Sequence, residues 1–292
     1  HPTTKTAYLQ MITYGAKLDS THLKKFLEHV FIENDKQEGP GTPICIWGSH
    51  GLGKTQIAKA FANERGWKFQ DVPIAQFEEM GDLHGMPDKY DPTPNMPDSG
   101  DERTYFFPPH WVPKEEGPGL ILLDDFNRAD DRILRGIMQL LQNFELTSWE
   151  LPKKWQIVCT ANPEGGDYSV TPLDDAMLTR MIHVTLKFDA EEWATWAHSA
   201  GIDERCISFV RNFPEDITLK RTTPRTLEQF FRQIEGMDFQ KEKEMIQILA
   251  QGTLDDVTVG KFLNFIENGF TRLIEPEEIL NATDFTKIEK RL

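Results

Sequence analysis

The sequence has few cysteines and no long apolar run, and these two shortages exclude several classes of protein. Its 292 residues include 3 cysteines, too few and too scattered for a disulfide framework or a zinc site: Cys45, Cys159 and Cys206. Cys45 and Cys159 lie within apolar runs, which predicts buried thiols. No window approaches the ~18 uninterrupted apolar residues of a membrane-spanning helix, and the N-terminal residues lack a secretory pattern. We therefore expect no membrane insertion and a reducing, cytoplasmic location.

Positive charge is also in short supply. Lysine and arginine total 32 against 47 acidic residues, so the net charge is -15. Such a surface repels phosphate backbones over most of its area, which disfavours general nucleic-acid binding but leaves room for a local basic site. Any anion that this protein binds must therefore be met by a concentrated group of donors at one place.

Length and composition fit a folded chain with more than one domain. Hydrophobic residues make up 39% and charged residues 27%, which argues against a disordered chain and against a membrane protein. A length of 292 residues favours about two domains, with a sizeable core that needs no disulfides or metals. The chain begins at His1-Pro2 without an initiator methionine, so we expect it to belong to a longer or trimmed product.

Strand and helix patterns alternate in the first part of the chain. The predicted elements are a helix over 18–33, a strand over 44–47, a helix over 54–63, a strand over 120–123, a helix over 131–144 and a strand over 156–160. The proline-rich stretch 81–119 is predicted as loop, with a short hairpin around Tyr105 to Phe107. Strands that alternate with helices indicate a parallel α/β sheet.

The pattern changes near residue 188, beyond which helices separated by turns are predicted. One helix there has apolar residues at the spacing of a buried stripe: Leu227, Phe230, Phe231 and Ile234. We therefore predict an α/β core over 1–188 and an all-helical domain over 189–292.

The segment from Gly48 to Thr55 matches the phosphate-binding pattern G-x4-G-K-[ST], with a predicted strand before it and a predicted helix after it. Its glycines let backbone N–H groups surround a triphosphate, and the helix N-terminus adds positive potential. Lys54 is expected to reach the β- and γ-phosphates of the triphosphate, and Thr55 to bind Mg²⁺. The alternative is a glycine-rich turn with an exposed lysine. The predicted nucleotide-binding residues here are Gly48, His50, Gly51, Leu52, Gly53, Lys54, Thr55 and Gln56.

Two carboxylates follow the predicted strand over 120–123. Asp124 and Asp125 are expected to face the phosphate crevice, because the carboxyl ends of parallel strands border that crevice. Asp124 is predicted to hold Mg²⁺, and Asp125 to polarise the attacking water. The alternative is an aspartate pair that caps the next turn.

These motifs, with others further along the chain, resemble those of AAA+ ATPases. The phosphate-binding loop is followed by Leu122 to Ala129 (LLDDFNRA) and then by Cys159 to Pro163 (CTANP), in the order of that family. The Asn-Arg-Ala after the acidic pair and the segment Gly81 to Gly85 resemble the MoxR branch. The segment Leu173 to Met181 resembles the one with the arginine finger, and Thr223 to Thr226 resembles the sensor-2 motif.

The resemblance implies roles for further residues. Asn162 matches the sensor-1 asparagine, whose amide positions the attacking water or contacts the γ-phosphate, and its alternative is a residue that only forms a turn. Arg180 matches the finger that enters a neighbouring subunit's site, with a plain surface arginine as its alternative. Arg128 is a second candidate for the contact with the neighbour, or forms a plain salt bridge. Arg225 matches sensor 2, which binds nucleotide from the helical domain, unless it simply pairs with Glu228.

The resemblance also implies the whole architecture and activity. The fold would be an AAA+ α/β core, with a parallel sheet flanked by helices, and a C-terminal all-helical lid. The activity would be hydrolysis of ATP with Mg²⁺ in a homo-oligomeric, hexameric ring. Hydrolysis would remodel or activate a separate partner protein, often one with a von Willebrand A domain.

One position departs from the AAA+ pattern. Most members carry Asp-Glu where this chain has Asp124-Asp125. Aspartate is shorter by one methylene, and a misplacement of about 1 Å can lower a rate roughly 100-fold. A slow or non-hydrolysing, nucleotide-gated scaffold is therefore the main alternative. A nucleic-acid-related motor and a small-molecule kinase are less favoured.

Overall fold

A computed structural model describes residues 14–90, 103–164, 169–218 and 220–270 of the chain. Between Lys187 and Phe188 the chain divides into two compact units, named here the first unit and the second unit. The strands are β1 (Ala16–Leu18), β2 (Ile44–Trp47), β3 (Lys68–Val72), β4 (Met86–Tyr90), β5 (Arg103–Phe107), β6 (Gly119–Leu123), β7 (Glu145–Leu146), β8 (Trp149–Glu150), β9 (Trp155–Ala161) and β10 (Ile182–Leu186). The α-helices are α1 (Ser20–Asp35), α2 (Lys54–Glu64), α3 (Met80–His84), α4 (Asp131–Asn143), α5 (Asp175–Leu178), α6 (Ala190–Ser199), α7 (Glu204–Asn212), α8 (Pro224–Gln233), α9 (Lys243–Thr253) and α10 (Asp256–Glu267).

A parallel sheet forms the centre of the first unit. Its described strands have the order β1-β10-β2-β9-β6-β3, and each neighbouring pair runs parallel. Strands β2, β6 and β9 lie inside the sheet, and every residue in them is buried. Burial on both faces is the reason that these strands have continuous apolar runs rather than alternating ones.

Helices cover both faces of this sheet, because successive side chains of each strand point to opposite sides. Ile44 of β2 packs with Leu27 of α1 and Phe61 of α2 on one face. Trp47 of the same strand lies on the other face, in a cluster that includes Ile137 of α4. The predicted α/β fold with a parallel sheet flanked by helices is therefore confirmed.

The sequence patterns located the inner elements better than the edges. The predicted strand over 44–47 is β2, and the helices predicted over 54–63 and 131–144 are α2 and α4 with one end displaced by one residue. The edge strands β1 and β3 contain exposed residues and gave no apolar run. The stretch predicted as loop with a hairpin contains α3 and the antiparallel pair β4–β5.

All three cysteines are buried and free of disulfides, as predicted for Cys45 and Cys159. These two residues lie opposite each other in the register between β2 and β9. Burial raises the pKa of both thiols and that of Cys206. Thiols that stay protonated are weak nucleophiles and weak metal ligands, so the cysteines serve the packing of the core.

Phenylalanine rings form the core of the second unit. The ring centroid of Phe262 on α10 lies 5.1 Å from that of Phe209 and 5.1 Å from that of Phe230. Phe231 and Phe239 complete the contacts around it. The stripe predicted over residues 227–234 is buried, which confirms it as a core-facing surface of α8. In the described part of this unit every regular element is helical, and no described helix of the chain could cross a membrane.

Replacement of the central ring should destabilise the second unit. Phe262 is fully buried, so Phe262→Ala is expected to lower the free energy of unfolding of this unit by about 3–5 kcal/mol. The control is Val257→Ala on the same helix, whose side chain is 60% exposed and whose effect should stay within about 0.5 kcal/mol. Native-state hydrogen exchange at α7, α8 and α10 measures both values. Equal effects of the two substitutions would contradict this account of the core.

Candidate functional site

The loop between β2 and α2 has the backbone shape that its glycines allow. Gly51 and Gly53 have φ values of 76° and 90°, in the left-handed region that other residues rarely adopt. A Cβ atom at Gly53 would meet only the Gln56 side chain, at 3.9 Å, so backbone conformation rather than space requires glycine there. Helix α2 begins directly after Gly53, which has no side chain to cap it. Its first N–H groups therefore face the loop, as at anion sites on helix N-termini.

Lys54 is buried, with 5% of its surface exposed. Its Nζ donates to the carbonyl oxygens of Gly48 at 2.6 Å and Ser49 at 3.1 Å, and to Oδ1 of Asn162 at 3.3 Å. These bonds hold the ammonium group over the inside of the loop. The alternative of an exposed lysine on a glycine-rich turn is wrong.

Asp124 follows β6, and one of its carboxylate oxygens accepts hydrogen bonds from two hydroxyl groups. Thr55 Oγ1 donates to Asp124 Oδ1 at 2.9 Å, and Thr160 Oγ1 donates to the same atom at 2.6 Å. Thr160 Oγ1 in turn accepts the backbone N–H of Asp125 at 2.8 Å. Thr160 therefore fixes both members of the acidic pair, one through its proton and the other through its lone pair.

Asp125 has a left-handed backbone, with φ 48° and ψ 41°. Its Oδ1 accepts from Asn162 Nδ2 at 2.9 Å, and its Oδ2 lies 3.9 Å from Nη1 of Arg128. The side chain makes no capping bond to the 3₁₀ turn that follows, so the alternative role as a cap for that turn is wrong for Asp125. Strain of this kind costs about 1–3 kcal/mol and persists only where the surroundings fix it.

Asn162 joins the cation to the acid. Its Oδ1 accepts from Lys54, and its Nδ2 donates to Asp125, at the distances given above. Its backbone is held separately by Asn127, whose Oδ1 accepts the Asn162 N–H at 3.0 Å and whose Nδ2 donates to the Asn162 carbonyl at 2.8 Å. Asn162 is therefore more than a turn residue, because both ends of its amide belong to the site.

Three residues of this site had no role in the sequence interpretation. Thr160 and Asn127 lie inside motifs that were recognised, but spacing alone does not indicate what a side chain contacts. Asp71 on β3 is the third: burial, and next the Asp124 carboxylate, raise the pKa of its carboxyl group, while Lys59 opposes that change. A strand with exposed residues offered no signal for it.

The predicted residues fall into two groups. Five of them belong to one hydrogen-bonded network, whose two parts are joined by Thr160 and the Asp125 backbone N–H: Lys54, Thr55, Asp124, Asp125 and Asn162. Gly48 contributes its carbonyl oxygen, and Gly51 and Gly53 the backbone turn, while His50 and Leu52 are half-buried and Gln56 is exposed on α2. Among the described residues, no group of three or more His, Cys, Asp or Glu could hold a metal ion by itself.

Two predicted arginines remain, one in each unit. Arg180 follows α5, and its guanidinium group donates to the Ala176 carbonyl and, at 3.2 Å, to Oε1 of Gln142. Arg225 is exposed in the first turn of α8, in the second unit. Glu228 pairs instead with Arg232, at 2.9 Å. The structure therefore does not support the alternative in which Arg225 pairs with Glu228.

Comparisons with known proteins indicate the fold. No family model matches the chain. The peroxisomal Lon protease homolog 2 of Caenorhabditis briggsae and that of Caenorhabditis elegans are each 36% identical over 62 residues, which is 21% of this chain and 8% of theirs. A proline-to-glycine mutant of Thermotoga maritima RuvB is 14% identical, with a TM-score of 0.50 over 95% of this chain and 81% of that one. Together with the parallel sheet and the phosphate-binding loop, this likeness shows that the chain has the AAA+ P-loop ATPase fold, with a helical C-terminal region.

Proposed function

We propose that the chain is a MoxR-like AAA+ ATPase, with a nucleotide-binding core over 1–188 and a helical lid over 189–292. The observation that supports this most is the continuous network from Lys54 through Asn162 to Asp125, with Thr55 and Asp124 beside it. A structural ion pair would need only one cation and one acid. This cluster has the cation, hydroxyl, carboxylates and amide that hydrolysis of a nucleoside triphosphate requires.

The donor chemistry fits ATP with Mg²⁺. The ammonium group of Lys54 and the N–H groups at the start of α2 would hold phosphate oxygens. Oxygen atoms of Thr55 and Asp124 would hold Mg²⁺, which prefers oxygen ligands and neutralises phosphate charge when bound. Their separation of 2.9 Å is compatible with a shared position next to one ion.

Asp125 would accept the proton of the attacking water. Asn162 would position that water, since its amide already spans the distance between Lys54 and the Asp125 carboxylate. The left-handed backbone of Asp125 changes the direction of its side chain relative to a normal strand residue. In our proposal this compensates for the side chain that is one methylene shorter than glutamate.

Completion of the site would require other parts of the assembly. We propose that Arg180 stabilises charge on the phosphoryl group in a neighbouring subunit of a hexameric ring, and that Arg225 binds nucleotide from the lid. Hydrolysis would remodel or activate a separate protein, for which a von Willebrand A domain protein is the candidate class. A cytoplasmic location belongs to the same proposal.

A nucleotide-gated scaffold with slow hydrolysis is the second candidate. The observation in its favour is Asp125 itself, whose two carboxylate oxygens already contact Asn162 and Arg128. A nucleic-acid-related motor is less favoured, because the net charge is -15. Steady phosphate release with ATP and Mg²⁺ distinguishes the ATPase from the scaffold.

Loss of the buried ammonium group should weaken nucleotide binding. Lys54→Ala removes charge-assisted hydrogen bonds to phosphate, so the Kd for an ATP analogue with Mg²⁺ should rise about 10- to 100-fold. Lys36→Ala in the same unit is the control, because the Lys36 side chain is 63% exposed and pairs with Glu33, so its loss should leave the Kd close to that of the wild type. Isothermal titration calorimetry gives both values. An unchanged Kd for Lys54→Ala would refute the phosphate role of the loop.

Loss of the proposed base should separate hydrolysis from binding. Asp125→Asn keeps the size of the side chain and its contact with Asn162, but it removes proton acceptance, so ATP turnover should fall about 10²- to 10⁴-fold while the Kd changes little. Asp131→Asn is the control, because that carboxylate is 67% exposed and pairs with Arg135. Turnover that is the same in Asp125→Asn and wild type would show that Asp125 is not the base.

Assembly should be visible in the kinetics. If Arg180 acts between subunits, turnover per chain should increase with protein concentration. Arg180→Ala should lower that turnover about 10³-fold or more without loss of ATP binding. Arg128→Ala and Arg135→Ala serve as comparisons, since the first tests the second finger candidate and the second alters an exposed arginine of α4. A chain that stays monomeric with ATP and Mg²⁺, and whose turnover ignores Arg180→Ala, would exclude the ring.

A further inference from the structure

A second chain of hydrogen bonds runs through His183 of β10. The indole Nε1–H of Trp47 donates to His183 Nδ1 at 3.0 Å, and His183 Nε2 lies 2.7 Å from the carbonyl oxygen of Leu178. The ring of Tyr14 packs on Trp47 with 4.5 Å between centroids, and lies 5.8 Å from the His183 ring. None of these residues belongs to the network around Lys54.

The partners of His183 determine where its proton lies. An indole N–H only donates, so Nδ1 must be the acceptor, and a carbonyl oxygen only accepts, so Nε2 must carry the proton. The neutral Nε2–H tautomer is therefore the form that satisfies both bonds. His183 acts in this form as a connector with a fixed direction from Trp47 to Leu178.

The two ends of this connector are informative. Trp47 is the last residue of β2 and directly precedes Gly48 of the phosphate-binding loop. Leu178 is the last residue of α5, two positions before Arg180. Helix α5 has 4 residues, too few to be stable without contacts from elsewhere.

Other contacts tie Arg180 to the same short helix. Asp174 caps its start by accepting the Met177 N–H at 2.8 Å, and the Arg180 guanidinium donates to the Ala176 carbonyl. A shift of α5 would therefore move Arg180 with it. The bond from His183 to Leu178 is a polar link between this helix and Trp47 at the end of β2, in addition to the apolar packing of Met177 in the cluster that contains Trp47.

We propose that His183 is a positioning residue for Arg180, and that it sets the location of α5 relative to β2 through Leu178 and Trp47. The proposal rests on the proposed function, since it matters only if Arg180 completes a neighbouring subunit's site. His183 lies outside the recognised motifs. In this role it affects Arg180, which would enter the neighbouring subunit's site, and not the nucleotide bound to its own subunit.

Determination of the His183 tautomer tests the two proposed hydrogen bonds independently of any activity measurement. Nitrogen chemical shifts of His183 in the intact protein, assigned by comparison with His183→Asn, distinguish Nε2–H from Nδ1–H. We expect the Nε2–H form, with Nδ1 unprotonated. A dominant Nδ1–H form is incompatible with a bond from Trp47 and would overturn the connector.

Mixed assemblies test the role. At an ATP concentration near the wild-type Kd, a chain with Lys54→Ala leaves most of its own sites empty but still offers Arg180, whereas a chain with Arg180→Ala offers only its site. An equimolar mixture should regain turnover, because about a quarter of the interfaces in a random ring combine an intact site with an intact finger. If that parental mixture regains nothing, the finger assignment fails, and the positioning role fails with it.

Two substitutions of His183 are then compared in each parent. His183→Gln places an amide N–H near the former Nε2 and keeps a donor for Leu178, whereas His183→Asn keeps an acceptor for Trp47 but is too short to reach Leu178. On the Lys54→Ala chain we expect His183→Asn to lower the regained turnover about tenfold or more, and His183→Gln to preserve most of it.

The same substitutions on the Arg180→Ala chain are the control. There the finger is absent, so neither should lower the regained turnover by more than about twofold. Equal losses on both chains would mean that His183 only stabilises the first unit, and no loss on the Lys54→Ala chain would mean that Arg180 needs no such support. Either result overturns the proposal while the parental mixture still supports the finger.

Discussion

The burial of one ammonium group governs the candidate site. A charge that leaves water is costly unless polar groups replace its hydration. Lys54, at 5% exposure, obtains that replacement from the carbonyl oxygens of Gly48 and Ser49 and from the amide of Asn162. Two carbonyl groups of one short loop can point at a single nitrogen only if the loop curves back on itself. The left-handed glycines provide that curvature, so formation of the loop and location of the cation depend on each other.

The order of the strands then explains why one asparagine can join cation and acid. Strand β9 lies between β2 and β6, and all three run parallel, so their carboxyl ends meet at one edge. The residues that follow β9 therefore lie between the loop after β2 and the acidic pair after β6. Asn162 bridges Lys54 and Asp125 because of this topology, and Thr160 contacts both aspartates for the same reason.

The parts of the site whose chemistry is encoded in a short stretch of sequence are predictable from that sequence alone. The loop around Lys54 and the pair Asp124-Asp125 were predicted, because a glycine pattern and a strand that ends in carboxylates are readable in one dimension. The contacts of Thr160 and His183 were not predicted, because each of these residues bonds to a partner more than thirty residues away. Thr160 bonds to Asp124, and His183 bonds to Trp47. Edge strands were missed for a related reason: half-exposed residues leave no apolar run to detect.

The buried cysteines allow local unfolding of each unit to be detected by thiol labelling. Cys45 and Cys159 lie in the sheet of the first unit, and Cys206 lies in the core of the second, all with no exposed surface. A thiol reagent therefore reacts only with molecules in which the surrounding core has separated. Peptide mapping of the labelled thiols would assign each opening event to its unit. Loss of packing in the first unit can thus be distinguished from loss of packing among the phenylalanine rings of the second by which cysteine is labelled, without any engineered label.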